Sequence, residues 1–529
     1  MLSTPALLDL PNELLIRITQ DPDLTPKDLL SLCATSKDFL RLTIPTYLQW
    51  YDVPCDARYE APCEAFPTID ISGRRAAPIL LGLSLSPAHL TPCHRLRCAL
   101  NNGYAAVRET RVLARIMALV GHVREVELDL NNVTCPPRAV DEWVALLAGL
   151  LHDLVSNGKC EVLSIRRGGY IHTSNADNAP LDRWDASTDC LVRMVDNMRF
   201  GDSEGSNKAD GGLKIAHRLT NFTICHSPFL AQPSFAPFLR SAFTSPTLTS
   251  LTIRTLSLTD PLWEAVLGEF QSNTPNRLHM PALQNLSLRS CVVHFAALVD
   301  LFVTHASTLQ SVDLSRMAHP YGDSATIYRT SNHPIPFPHL RTLKGISASP
   351  STFPEALLNG RQLALPSLAH LELCADFGFG ASRQHDAPVN NVLDALARST
   401  IHPGHITLAL SGREGALTWL QAVATQAQGP RARRLPVCAF VKQLDVELKD
   451  FTVGQHTLQR VVPHWLALFP GVEELVFRLE GKGADAVGTE AVEEAGAEID
   501  VGKVAHAIRA AGRCAGLKRV TVEGRTVDM

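Results

Sequence analysis

The chain lacks any apolar stretch long enough to cross a bilayer. Its most apolar run, around Ile79 to Leu90, is short and is broken by Ser and Pro. It also lacks an excess of either charge: 49 Lys and Arg stand against 53 Asp and Glu, a formal net charge of -4. That leaves no basic footprint of the kind a nucleic-acid surface needs. Nor is the composition that of a disordered chain, since 45% of the 529 residues are hydrophobic and only 19% charged, ample for a large core. The first residues show neither the basic segment nor the cleavage pattern of a secretory leader, and the thirteen cysteines are odd in number and scattered. Together these predict a soluble protein of a reducing compartment, cytoplasmic or nuclear, with free thiols and no membrane partner. The sequons at Asn132, Asn221 and Asn285 then read as chance matches.

Catalytic patterns are missing as well. Cys55, Cys63, Cys93 and Cys98 cluster, but their spacing fits no familiar zinc pairing. Gly481, Gly483 and Gly488 mimic a phosphate loop without the Lys-Ser/Thr that would complete it. Asp376-Phe377-Gly378 copies a kinase triplet with none of the other kinase elements. No nucleophile elbow is present, and His305 sits on an apolar helix face as a core or rim residue would. The expectation is a protein that is not an enzyme, with no catalytic residues, no metal site and no cofactor.

What the chain does have, at once, is helix signals. Pro11 suits a first helical turn and Glu13 suits the positive end of the helix dipole. Leu10, Leu14 and Ile18 then fall at i, i+4 and i+8, with Leu15 beside them. Asp21-Pro22-Asp23 stops that helix, and Thr25-Pro26-Lys27-Asp28 starts a second with a reciprocal cap, carrying Leu29, Leu30 and Leu32. Thr35-Ser36-Lys37-Asp38 starts a third through Phe39, Leu40 and Leu42, which Pro45 is expected to close. Three short helices cannot bury this many leucines among themselves. The stripe needs a partner, and from spacing alone the rest of the chain serves as well as another protein.

The order Leu10-Pro11-x-Glu13-Leu14-Leu15-x-x-Ile18, Asp28-Leu29-Leu30-x-Leu32 and Thr35-Ser36-Lys37-x-Phe39 resembles an F-box, especially of the fungal form, over residues 8–50. The resemblance implies three helices that dock on the small adaptor subunit of a cullin–RING ubiquitin ligase. The adaptor-contacting residues it implies are Leu10, Pro11, Leu14, Ile18, Leu29, Leu32 and Phe39.

Beyond a joining segment at 51–105, an apolar-x-x-apolar-x-apolar pattern recurs across 106–529. It stands at Val123/Val126/Leu128, Leu219/Phe222/Ile224, Leu248/Leu251/Ile253, Leu283/Leu286/Leu288 and Leu309/Val312/Leu314. It returns at Leu368/Leu371/Leu373, Val441/Leu444/Val446, Val472/Leu475/Phe477 and Leu517/Val520/Val522, with most gaps running from 26 to 37 residues. Helical patterns such as HFAALVDLFVTHA, TLQRVVPHWLALF and GKVAHAIRAAG lie between stations. Strand, turn and helix in repetition predict an α/β solenoid, a curved parallel sheet with helices on the convex face. The repeats look like degenerate leucine-rich repeats of the long, ribonuclease-inhibitor-like kind.

Residues between the buried strand positions are expected to point outward as a partner surface. They include Glu125, Glu127, Asp129, Thr252, Arg254, Ser287, Arg289, Asp313, Glu372 and Asp445. Resemblance and repeats together imply the substrate-recognition subunit of an SCF-type ligase, its helices on the adaptor and its repeats on a target protein. The competing expectation is a leucine-rich interaction scaffold whose first helices merely cap the solenoid.

Overall fold

The structure is a computed structural model. It describes residues 10–53, 68–85, 94–168, 217–258, 280–317, 335–347, 363–376, 392–397, 401–428, 437–449, 455–480 and 499–529, apart from positions 34, 121, 132, 134, 294, 395 and 513. The chain is α/β and divides into two compact units, the first running to Thr252 and the second taking in Leu283–Met529, with the short stretches between them shared out. Among the described residues no helix is long and apolar enough to cross a membrane.

The first unit opens with α1 (Asn12–Thr19), α2 (Pro26–Cys33) and α3 (Lys37–Gln49). The cap before α2 is reciprocal as expected. The Thr25 amide donates to Asp28 Oδ2 at 2.8 Å and the Asp28 amide donates back to Thr25 Oγ1 at 3.3 Å. Ser36 caps α3 by accepting from the Phe39 amide at 3.1 Å. Pro45 does not close the third helix, which runs through it to Gln49. The turn beyond Pro45 carries Tyr47 and Leu48, both fully buried, and their packing outweighs the one backbone bond that a proline removes.

The chain then alternates strand and helix. The order is β1 (Thr68–Ile71), α4 (Ala76–Leu85), β2 (Arg95–Ala99), α5 (Tyr104–Leu119), β3 (Glu125–Asp129), α6 (Val140–Ser156), β4 (Val162–Arg166), β5 (Asn221–Cys225) and α7 (Ala236–Phe243). Each of β1 to β4 pairs in parallel with the strand that follows it. The ladder therefore begins at Thr68, inside the span expected to be a joining segment. Val126, Leu128, Leu163, Ile165, Phe222 and Ile224 turn inward beneath the helices, each 1% exposed or less. Trp143 of α6 is tied to α5 by its indole N–H, which donates to Thr110 Oγ1 at 3.0 Å. The strand β6 (Ser250–Arg254) spans the division between the units.

The second unit holds β7 (Asn285–Arg289), α8 (Phe295–His305), β8 (Ser311–Asp313), β9 (Ile335–Pro336), β10 (Thr342–Ser347), β11 (Leu363–Ala364), β12 (His370–Asp376), β13 (His405–Ser411) and α9 (Arg413–Gln428). After these come β14 (Gln443–Lys449), α10 (Gln455–Trp465), β15 (Glu474–Glu480), α11 (Val501–Ala511), β16 (Arg519–Val522) and β17 (Arg525–Asp528). Apart from the two-residue pair β9 and β11, the strands from β7 to β16 pair in parallel in chain order. Among the described residues the parallel expectation fails at the last strand: Glu523 and Gly524, both at positive φ, fold β17 back antiparallel on β16. The Gly- and Ser-rich stretch 201–212, the stretch LWEAVLGEF at 262–270, and most of 321–338 and 480–498 lie outside the described residues.

All nine triplet stations are buried throughout, the most exposed residue being Leu517 at 7%. A second periodicity accompanies them. Two residues past the last apolar residue of the strand, Arg167, His226, Thr255, Ser290 and Arg316 take left-handed φ between 52° and 58°, and Gly412 takes 82° at the equivalent place. The turn lets the amide continue the ladder, as when Thr255 N–H donates to the Arg289 carbonyl at 2.8 Å. A β-branched residue is poorly suited to that conformation. Thr255 is exposed, so its side chain gains little in return. Thr255→Asn is expected to stabilise the protein by about 0.5–1 kcal/mol in thermal or urea unfolding. An unchanged or lower midpoint would contradict the strain.

Candidate protein-binding surfaces

Two surfaces stand out, both assembled from short local rules. The first lies on the N-terminal helices. α3 seats on α4: the Tyr47 hydroxyl donates to the Pro78 carbonyl at 3.0 Å, and Gly82 leaves room for Tyr47 and Leu48, whose side chains would come within 3.0 Å of an added Cβ. α1 is treated differently. Leu15 is 2% exposed, but its neighbours Leu14 and Ile16 remain 43% and 37% exposed. Leu10, Ile18 and Leu32 are half-buried and Pro11 is exposed. Leu29 and Phe39 depart from expectation. Both are wholly buried in the small core of the three helices, so they hold those helices together and offer no surface to a partner.

The second surface is the face of the strands turned away from the helices. In the first unit the β3 residues Glu125, Glu127 and Asp129 do share this face, as alternation requires, but only Glu125 is even half-exposed. Glu127 and Asp129 are 1% and 2% exposed because arginines of neighbouring strands lie over them. Arg95 brings Nη2 to within 2.6 Å of Glu127 Oε2 and Nε to within 3.2 Å of Glu125. Arg97 Nε and Arg166 Nη1 approach Glu127 Oε1 at 3.5 and 3.3 Å. Arg167, on the left-handed position after β4, reaches back to Asp129 and donates from Nε at 3.1 Å. Asp129 also accepts from the Asn131 amide at 3.1 Å.

The second unit repeats the theme. Asp313, buried, accepts from Arg289 Nε at 2.6 Å and from the hydroxyl and amide of Ser315. Burial pushes the Asp313 carboxyl up, but Ser315 and Arg289 outweigh it and hold the group below the usual carboxylate value. Asp445 is likewise 3% exposed, with His405 Nε2 at 3.3 Å and Arg478 Nη2 at 3.2 Å. There too burial is overcome by His405, Gln443 and Arg478, and the net direction is down. Glu372 is half-buried beside Cys374 Sγ at 3.6 Å, and burial drives its carboxyl up against the opposing effect of Lys449. Ser287 sits half-buried in register with Asp313, and Thr252 and Arg254 join neither carboxylate cluster.

The covering cations Arg95, Arg97, Arg166, Arg167 and Arg478 were not among the candidates, since no local motif links an arginine to a carboxylate about 30 residues away. Their signal lies in register. Arg95 and Arg97 sit directly opposite Glu125 and Glu127 across one ladder, a cross-strand pairing of opposite charges.

Beside Asp445, His370 of β12 stacks on His405 of β13, centroids 4.0 Å apart and planes within 6°. Burial, then His405 and Lys344, lower the His370 imidazole to about 4. Its folded value lies below the unfolded value of about 6.5. The neutral ring therefore contributes stability that is complete above pH 6.5 and is lost as pH falls toward 4. Wild type is expected to unfold at lower urea at pH 5 than at pH 7, and His370→Gln is expected to shrink that difference. Equal differences for both proteins would refute the role of this ring.

Among the described residues no group of His, Cys, Asp or Glu is arranged to hold a metal, and the cysteines are free thiols. Of the four cysteines first considered for zinc, Cys98 is buried in β2 and the other three lie outside the described residues. The arrangement suits recognition by side-chain contact: an apolar stripe on α1 with Leu14 exposed, and polar strand faces within each unit. No protein-family model matches the chain, and no curated protein matches it.

Proposed function

We propose that this chain is the substrate-recognition subunit of an SCF-type ubiquitin ligase. Its F-box-like helices bind the adaptor, and its strand face, read as that of degenerate leucine-rich repeats, binds a target protein. The observation that carries the reading is the open ridge on α1. Leu14 stays exposed, with Leu10 and Ile18 half-buried on the same stripe, while Leu15, Leu29 and Phe39 are buried, so the helices have a core of their own and an apolar stripe to spare.

The scaffold reading draws support from α3, which closes the end of the first unit by packing on α4. The two roles use different residues. Capping rests on Tyr47 and Leu48, adaptor binding on Leu10, Pro11, Leu14 and Ile18 and on Leu32 of α2. A pull-down of the tagged chain from cells, read by mass spectrometry, tests the proposal. It should recover the adaptor and cullin subunits together with a target. Recovery of binding proteins without the adaptor would favour the scaffold.

A further inference from the structure

Glu127 is one buried carboxylate facing three guanidinium groups. Arg95, Arg97 and Arg166 all bring a nitrogen within 3.5 Å of its two oxygens. A carboxylate has about four acceptor sites, whereas three guanidinium groups carry about fifteen N–H donors between them. Glu125 takes up part of Arg95 at 3.2 Å, and Asp70 lies 3.8 Å from Arg97, at the limit of an ion pair. Arg166 also donates from Nε to Ser164 Oγ at 3.1 Å, and among the described residues the remaining donors of Arg97 and Arg166 face solvent.

Depth separates Glu127 and Asp129 from the arginines, while Asp70 and Glu125 on the same face are 49% and 26% exposed. The Glu127 and Asp129 side chains are 2% and 3% exposed, whereas those of Arg95, Arg97, Arg166 and Arg167 are 39%, 42%, 46% and 50% exposed. The buried anions orient the cations from beneath and leave their outer edges to solvent. A guanidinium held in this way loses less side-chain entropy on binding than a free surface arginine. Arginine edges prefer planar oxyanions, which they grip with paired N–H donors.

We infer that the β2–β3–β4 face, through Arg97, Arg166 and Arg167, holds an acidic, Asp/Glu-rich segment of a partner protein. The inference rests on the strand face being the target-holding surface of the proposed function, and it names the chemistry of that target. The incoming carboxylates complete the donor sets that Glu127 and Asp129 leave unfilled.

The test uses the full-length chain and a fluorescein-labelled peptide of alternating Glu and Gly, followed by anisotropy at low and physiological salt. Wild type should bind it saturably, and more weakly as salt rises. Arg97→Gln combined with Arg166→Gln should weaken binding at least tenfold. Glu127 keeps Arg95 at 2.6 Å in that variant, so the melting temperature should stay near that of wild type. Arg111→Gln, on the helix α5 and paired with Glu142, should bind as wild type does. Absence of binding at low salt overturns the inference, as does equal binding by the double variant. Preferential binding of an oligonucleotide of the same charge also overturns it, since the face would then be a general polyanion site. Adaptor binding, measured separately on the same samples, tells the two failures apart. Peptide binding without adaptor binding sinks only the ligase reading, and adaptor binding without peptide binding sinks only this one.

Discussion

Leu14→Asp is expected to melt within about 0.5 kcal/mol of wild type and to lose the adaptor altogether. Stability should hold because Leu14 is 43% exposed and sits in the first turn of α1, where a carboxylate favours the helix dipole. Binding should fail because a docked partner would cover position 14, and a buried carboxylate without a counter-charge costs several kcal/mol. That is a loss of a thousandfold or more in affinity. The contrast isolates the exposed stripe of α1 from the core of the three helices. A substitution at Leu15, 2% exposed, would confuse the two by unpacking the helices themselves. A Leu14→Asp protein that unfolds many degrees below wild type would mean that the ridge is covered by the chain and is not a free surface.

The largest stability effect is expected at Gly345→Ala. Gly345 lies in the irregular step of β10 between Leu343 and Ile346, at φ 72°, and a Cβ there would fall 2.2 Å from the Ser315 backbone nitrogen and 2.3 Å from its Cα. A left-handed alanine alone costs about 1–2 kcal/mol, and backbone cannot swing aside as a flexible side chain can. A loss of about 3 kcal/mol or more in urea unfolding is expected, since β8 and β10 must part or the strand must flip. A loss under about 1 kcal/mol would show that the two strands are not packed this closely. The same position touches the polar face, because Ser315 also holds Asp313 through its hydroxyl and amide.

The repeat was legible wherever alternation was strong. Leu248, Leu251 and Ile253, or Val441, Leu444 and Val446, are buried because a strand that presents one face to helices must place its aliphatics there. The strands β1 and β2 were missed as stations, although Phe66/Ile69/Ile71 fits the pattern fully and Cys93/Leu96/Cys98 fits it with cysteine in place of aliphatic residues, because the prolines around them read as a joining segment. Polarity alone also misjudged depth on the opposite face. Glu127 and Asp129 alternate outward as expected yet are buried, because what lies over a carboxylate is decided by the register of strands about 30 residues apart. The N-terminal helices show the complementary limit. Spacing put Leu10, Leu14 and Ile18 on one stripe, but the direction of Leu29 and Phe39 depends on the crossing of three helices, which no single stripe encodes.

Docking through α1 is tested most directly by titrating the purified adaptor subunit into the full-length chain in a calorimeter. Saturable heat at one adaptor per chain is expected for wild type and none for Leu14→Asp at matched folding. A folded wild-type chain that gives no heat with the adaptor would contradict it.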